Sequence, residues 1–443
     1  MSASGEARPG TVRLITQWQM QGEQMNDGAR LRSLPAFRGL WLANAGSDAA
    51  RLIAVFAIQV SMTLTLHAST FEVGLVSPLS NAGALALGLV AGVYVDRWGA
   101  KRTMLASVWL RVLAYGAPVL LWCADLLAPW QLLVCVVLAS VADTFFSTGH
   151  QAVLPALVGR SRVPDAAASL MATDQVITLA GPAAGGLLTR LMPAPLVLGI
   201  STLTQFLAIG GLTRLPADPP AAQRPRERVW PSMREGWAYL RGTPLLAAIM
   251  AAATLNNFAA GFYQSAETVF ILRELGMDPV VFGLVWSLSA VGGIGGAILA
   301  PRAGRRFGAL RVMFAACCVM PLNFALIPAA SWVPHAAQPL MIFASFFLFG
   351  ACIGFMAVSS SGVAAALTPN ELLARVSSVR RTLTQGATVV GGLLGAALGA
   401  LAGVGWTLWF AATLAVLQVL PLIRVGVPRK AAPDEAELAL GGE

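Results

Sequence analysis

The chain alternates long apolar runs with short polar connections, and the runs have the length of membrane helices. An α-helix rises 1.5 Å per residue, so about 20 apolar residues cross a hydrocarbon core roughly 30 Å thick, and a helix satisfies its own backbone polar groups there. On that rule about twelve spans are expected, near 39–65, 73–95, 103–123, 129–150, 166–190, 195–214, 244–268, 279–300, 309–331, 338–361, 379–401 and 404–424. An even number places both termini on one side.

The longest internal polar stretch, 215–243, divides these spans into two sets of six. It opens with Pro216, Pro219, Pro220 and Pro225, which favour extended chain. Its second part is expected to fold: Ser232 and Glu235 have capping-box spacing, and Met233, Trp237 and Leu240 recur at helical intervals opposite Arg234 and Arg241. That pattern predicts a short amphipathic helix lying on the membrane surface. The expected organisation is a tail over 1–37, a six-helix bundle over 38–214, a linker over 215–243, a second bundle over 244–424 and a tail over 425–443. The fold class is thus an all-α integral membrane protein of two six-helix bundles. The first 37 residues lack the charged start, short apolar core and small-residue cleavage site of a secretory signal, and are expected to be a retained cytoplasmic tail.

Composition agrees with a bilayer as solvent. Of 443 residues, 56% are hydrophobic and 12% charged, with a mean hydropathy of +0.69, too little polar surface for a soluble globule of this size. The net charge of +9 does not mark a nucleic-acid binder, because Lys and Arg form no basic domain with interleaved aromatics. They gather in alternate connections instead: Arg30, Arg32 and Arg38; Arg97, Lys101 and Arg102; Arg160 and Arg162; the 215–243 linker; Arg302, Arg305 and Arg306; Arg375; and Arg424, Arg429 and Lys430. Basic loops stay on the cytoplasmic side, so both termini are expected there. Arg190 and Arg273, near span ends on the opposite side, are exceptions.

The five cysteines lack metal-ligand spacing, no phosphate-cradling Gly-Lys-Ser/Thr loop occurs, and His67, His150 and His335 are scattered. No cofactor, metal or enzymatic chemistry is therefore expected.

The two halves repeat one another at an offset of 209 residues: Gly74, Leu75, Val76, Leu79, Ser80 and Gly83 recur as Gly283, Leu284, Val285, Leu288, Ser289 and Gly292. In the same register Arg97, Gly99, Ala100, Arg102 and Met104 recur as Arg306, Gly308, Ala309, Arg311 and Met313. Each half thus repeats a helix, a tight glycine turn and a second helix, and two such bundles can rock about a site between them.

The segment Gly92-Val93-Tyr94-Val95-Asp96-Arg97-Trp98-Gly99-Ala100-Lys101-Arg102 resembles the loop motif of the major facilitator superfamily between its second and third spans. Ala100 departs from the basic residue many members carry, and the second copy is degenerate, with Pro301 and Arg305 in place of Gly92 and Asp96. The resemblance implies that this motif, through Asp96, locks the cytoplasmic ends of the halves against the start of span eleven, where Arg375, Arg380 and Arg381 lie. Gly181-Pro182-Ala183-Ala184-Gly185-Gly186 is similar to the end of a motif carried by the antiporting exporters, although span four lacks the arginine typical of drug:proton antiporters. The whole looks like the macrolide-efflux and siderophore-export branch, which implies a monomeric secondary exporter of the bacterial inner membrane.

Ionisable groups inside spans are costly and so are functional candidates. Asn44, Asp48 and Arg51 share one helix face, to be read as cavity lining or as a self-neutralising local ion pair. Asp48, Asp143 and Asp174 are the candidate proton carriers; Asn44, Arg51, Arg111, His150, Asn256 and Asn257 are candidate substrate contacts. Arg111 and Asp143 are a reasonable structural pair, and Glu267 is expected to be a solvated helix-end residue. Gly181, Pro182, Gly185, Gly186, Gly391 and Gly392 give small faces for contact between opposite halves, either as hinges or as ordinary packing. The expected function is proton-coupled export of an amphipathic small molecule such as a drug or siderophore. Uptake symport, lysolipid flipping and a non-transporting receptor or scaffold remain alternatives, and the expected partners are the substrate, protons and the lipid bilayer.

Overall fold

A computed structural model describes residues 34–159, 162–216, 218 and 229–425. The expected tails over 1–33 and 426–443, and the linker prolines Pro219, Pro220 and Pro225, lie outside the described residues. All regular structure among the described residues is helical. The first half contains α1 (Pro35–Val60), α2 (Thr70–Trp98), α3 (Ala100–Cys123), α4 (Pro129–Val158), α5 (Val163–Leu191) and α6 (Ala194–Thr213). The linker contributes α7 (Val229–Gly242). The second half contains α8 (Pro244–Val269), α9 (Pro279–Phe307), α10 (Ala309–Ala329), α11 (Gln338–Leu367), α12 (Asn370–Ala402), α13 (Val404–Leu417) and the short α14 (Val419–Val425).

Helix covers every apolar window expected from the sequence, and ten of the helices are long and apolar enough to cross a membrane. The helix α2 passes as an eleventh only if its two parts are joined, because it bends by 64° between Gly88 and Val90. A glycine at the bend, with nothing within 4 Å of where its Cβ would stand, is a recognised cause of such a kink. The remaining long helix, α5, carries Asp165, Asp174 and Arg190 and has no stretch as apolar as those ten.

The repeat is visible in the helix boundaries themselves. Pro35–Val60 and Pro244–Val269 begin and end 209 residues apart, as do Thr70–Trp98 and Pro279–Phe307, and each first helix runs into a π-turn, Ser61–Thr65 and Phe270–Glu274. The turns are built from matching chemistry. Ser69 caps α2 by accepting the Glu72 amide while Glu72 returns to the Ser69 amide at 2.8 Å, and Asp278 caps α9 through the Val280 amide at 2.7 Å. Gly99 and Gly308 adopt φ of 90° and 89°, a left-handed backbone that lets the chain reverse in one residue.

Within the first half, α1 packs on α5 and α6, and α4 packs on α2 and α3; within the second, α8 packs on α12 and α13, and α11 on α9 and α10. Small residues bring these backbones close. A Cβ at Gly350 on α11 would fall 1.8 Å from the Ser289 carbonyl of α9, so no larger side chain fits there. Contact between halves runs through α2 with α8 and α12, and through α5 with α9. The largest apolar core, including Phe56, Val76, Phe262, Phe282 and Phe346, is continuous across both halves. Away from it each half has its own cores, one around Phe37, Met104 and Phe146, others around Ile249 and Met313 and around Leu240 and Val376.

The expected amphipathic helix forms as α7, but it docks on protein. Leu240 is buried with Leu246, Met250, Val376 and Val379, Met233 packs against them, and Tyr239 donates to the Leu367 carbonyl at 2.5 Å. A Cβ at Gly236 would lie 2.9 Å from the Arg375 carbonyl, so α7 rests directly on α12. The apolar face read from sequence as membrane-facing is satisfied by the second bundle, while Trp237 stacks under Arg241 at its edge.

Candidate functional site

The two halves meet at the end that carries the α1–α2 and α8–α9 turns. Gln59 accepts from Thr268 at 3.3 Å, Ser77 donates to Gln264 at 2.9 Å, and the Ala183 amide donates to Ser287 at 3.0 Å. Gln59 and Thr268 are themselves 209 residues apart, so the pseudo-two-fold relation passes through this contact. Arg273, within the second π-turn, crosses to the first half and donates to the Thr63 carbonyl at 2.8 and 2.9 Å and to the Ala68 carbonyl at 2.7 Å. The exception to the charge bias is thereby explained: Arg273 sits against the carbonyl end of α1 and its π-turn, where a cation is favoured by unpaired C=O groups.

At the opposite, basic end the halves diverge. Gly88 and Gly92 on α2 and Gly295 on α9 have no neighbour within 4 Å of a notional Cβ, and Tyr94, Met171, Val176 and Ile298 are exposed. Between the two ends lies a central cavity of about 310 Å³, lined from the first half by Arg51 and Asp143 and from the second by Tyr263, Glu267 and Trp286. Of the candidates read from sequence, Arg51 and Asp143 line this cavity.

The carboxylates of α1 and α5 come together beside it. One nitrogen, Asn44 Nδ2, donates to Asp48 at 3.0 Å and to Asp174 at 2.7 Å, so a single amide joins two acids from different helices. Arg51 Nε stands 3.6 Å from Asp48, the local pair that the i, i+3 spacing allows. Trp41 donates to Thr173 at 2.8 Å and fixes α1 against α5 one turn away. Sequence spacing put Asn44, Asp48 and Arg51 on one face; the approach of Asp174, 130 residues on, is a tertiary fact.

Arg111 is buried, 3% exposed, and its terminal nitrogens are engaged inside the first half while Nε has no partner among the described residues. It forms an ion pair with Asp143, donates to Ser47, and lies 4.8 Å from the Phe146 ring centre. It therefore stands behind the cavity wall, holding Asp143, instead of contacting a ligand. His150 is half-buried with Nε2 unbonded and lies outside the lining. Asn257 is absorbed by packing, donating to the Ala253 carbonyl and accepting from Thr388 on α12, and Asn256 is buried beside it. Glu267, by contrast, is buried, 7% exposed, and lines the cavity, so it is not the solvated end residue that its position in the span implied. The signal was present in the sequence as an acid inside an apolar run, but the π-turn that extends the helix beyond it was not.

The loop motif is not engaged as a latch between halves. Asp96 is exposed and has no ion pair among the described residues, while Arg375 pairs with Glu235 of the linker helix and Arg380 and Arg381 are exposed. The basic end is splayed, so the partners are out of reach. The acid at the start of α3 is instead Asp218, which accepts from the Lys101 and Arg102 amides at 2.8 and 3.1 Å, against the Gly99 turn. Lys101 reaches the Leu215 carbonyl at 2.5 Å, tying the end of α6 to the same turn.

The small faces serve two purposes. Gly186 meets Pro279 and Gly283 of α9, and Gly392 meets Pro78 of α2, contacts between halves. Gly181 and Gly185 pack on Leu52 and Phe56 of α1, and Gly391 on the Phe258 carbonyl of α8, contacts within a half. Pro182 sets its carbonyl against Gly283.

A sequence profile described as transmembrane secretion effector matches residues 29–439. The chain is 32% identical over 224 residues to the enterobactin exporters of Shigella dysenteriae serotype 1 (strain Sd197) and of Escherichia coli O1:K1, a match covering 49% of this chain and 52% of theirs. It thus spans about half the length of the curated relatives it matches. It superposes on the nucleoside transporter NupG with a TM-score of 0.72 at 14% identity, covering 88% of this chain and 98% of that one. A bacterial homologue of the iron transporter ferroportin, in an inward-facing state, gives 0.68 at 14% identity, covering 89% and 98%. At such identities the likeness is one of fold.

Proposed function

The chain belongs to the transmembrane secretion effector family of the major facilitator superfamily and is a multi-pass protein of the bacterial inner membrane, and on that premise we propose that it is a proton-coupled exporter of an amphipathic small molecule such as a siderophore or drug. Twelve spans cross the bilayer, counting the bent α2 and α5, and both termini face the cytoplasm. The clustering of Arg97, Lys101, Arg102, Arg305 and Arg306 at the splayed end supports that orientation. The cavity then opens inward while the Arg273 and Gln59–Thr268 contacts close the outer end. Alternating access exchanges these contacts for the latch of Asp96 with Arg375, Arg380 or Arg381 at the inner end.

The observation that carries the coupling is the amide bridge of Asn44 between Asp48 and Asp174. Two carboxylates joined by one amide interact, and moving either acid away from the other changes how readily it holds a proton. Asp48 and Asp174 both belong to the first half, and the second half bears on their bridge through α5, which also carries the Gly186 contact with α9. The enterobactin exporters supply the class of cargo.

The test is purified protein in liposomes with a pH dye trapped inside, an imposed proton gradient, and a panel of siderophores, drugs and lysolipids, with Asp174→Asn and Asp48→Asn alongside. Substrate-triggered proton flux in the wild type and its loss in both variants are expected. Transport without proton movement would overturn the antiport mechanism, and lysolipid as the sole cargo would favour a flippase.

A further inference from the structure

Among the acids that line the cavity, Asp143 and Glu267, charge matching leaves one without a counterpart. Arg51 is matched by Asp48 at 3.6 Å, and Asp143 is matched by Arg111. Both arginines read from the sequence as substrate contacts are thereby neutralised within the first half. Glu267, from the second half, lines the same cavity, is 7% exposed, and makes no hydrogen bond or ion pair among the described residues. Its neighbour one turn earlier, Tyr263, turns its hydroxyl to Ser345 at 3.5 Å and stacks its ring on Phe324 with centroids 4.6 Å apart, so it does not satisfy the acid. The remaining titratable group of the lining, Tyr115, belongs to the opposite wall.

We propose that Glu267 is the recognition group for a positively charged nitrogen of the transported molecule, so that the cargo class is a cationic aromatic amphipath; this rests on the exporter reading above. A carboxylate away from water demands a cation or a proton, and this one faces a space of about 310 Å³, which holds a small ligand. Trp286, Phe346 and Phe349 share the lining and offer ring faces to a flat cation. Cargo and proton then compete for Glu267, in addition to the coupling proposed for Asp48 and Asp174: the cation takes its place as the Glu267 proton passes to solvent on the open side of the cavity. Serine and amide groups of the wall, among them Ser77, Asn81 and Gln264, supply neutral hydrogen bonds that orient the cargo.

The experiment compares ethidium with dihydroethidium under anaerobic conditions. The two share a ring frame and differ in charge. Binding is measured to full-length wild type, Glu267→Gln and Glu267→Asp in nanodiscs, and transport in liposomes, with a tris-catechol siderophore as a third ligand. Wild type is expected to bind ethidium at least tenfold more tightly than dihydroethidium. Glu267→Gln should erase that preference with dihydroethidium binding unchanged, and Glu267→Asp should keep it. Equal binding of the two dyes by wild type, absence of ethidium binding, or a preference that survives Glu267→Gln overturns the inference. Transport of the siderophore or dihydroethidium without ethidium overturns it while leaving export standing, and failure of all three ligands to cross refutes the export reading itself.

Discussion

Arg273 is the point at which one substitution should bias the whole molecule. Its guanidinium reaches from the second half to the Thr63 and Ala68 carbonyls of the first, with distances of 2.7 to 2.9 Å. A hydrogen bond from a charged donor contributes about 1.5–3 kcal/mol net when buried, and here the group is partly exposed, so water replaces part of what separation loses. Taking the contacts together, Arg273→Met should destabilise the closure of the halves at this end by about 2–3 kcal/mol, roughly a 30- to 150-fold shift toward the open arrangement. Spin labels at Phe71 on α2 and Leu401 on α12, both exposed near that end, in a background with the native cysteines replaced, would report the distance between halves. A longer-distance population should appear in Arg273→Met and be smaller in Arg273→Lys, which keeps the charge but not the planar fork. An unchanged distance distribution in a folded Arg273→Met protein would refute the reasoning, since it would mean that the apolar core across the halves holds this end shut without the arginine.

Other substitutions separate packing from gating. Gly186→Val places a Cβ 2.9 Å from the Pro279 carbonyl across the halves and should open the same end in the same label experiment, whereas Gly181→Ala presses on Leu52 within one half and should lower thermal stability without moving the labels. Arg111→Met strands Asp143 in the cavity wall and should cost about 2–4 kcal/mol of stability in detergent, with most of it regained in the double variant carrying Asp143→Asn; no recovery would show that the two charges are not energetically coupled. Asp218→Ala removes the acceptor of two amides at the α3 N-terminus and should cost about 1–2 kcal/mol and expose the linker to limited proteolysis; unaltered cleavage would show that Asp218 does not anchor it.

Much of the fold was legible in the chain, because a bilayer imposes one solution on a long apolar run. The helices and the internal repeat follow from hydropathy and register, down to Gly99 and Gly308 at equivalent turns. The i, i+3 neighbours Asp48 and Arg51 were also readable, since helix geometry fixes which side chains share a face. Hydropathy does not specify which helices touch, and there the sequence was silent or misleading. The face of α7 is apolar whether it meets lipid or α12, so its docking against Val376 was decided by tertiary packing. Asp174 and Asp48 are brought to one amide only because α5 packs on α1, and Arg111 leaves the cavity only because α3 turns it toward Ser47 and Asp143. Glu267 becomes a cavity residue because the π-turn carries α8 past it and the halves close above it. Local spacing and solvent preference determined the elements, whereas the partners of each buried charge depended on which backbones could approach closely, a three-dimensional property of small residues on facing helices.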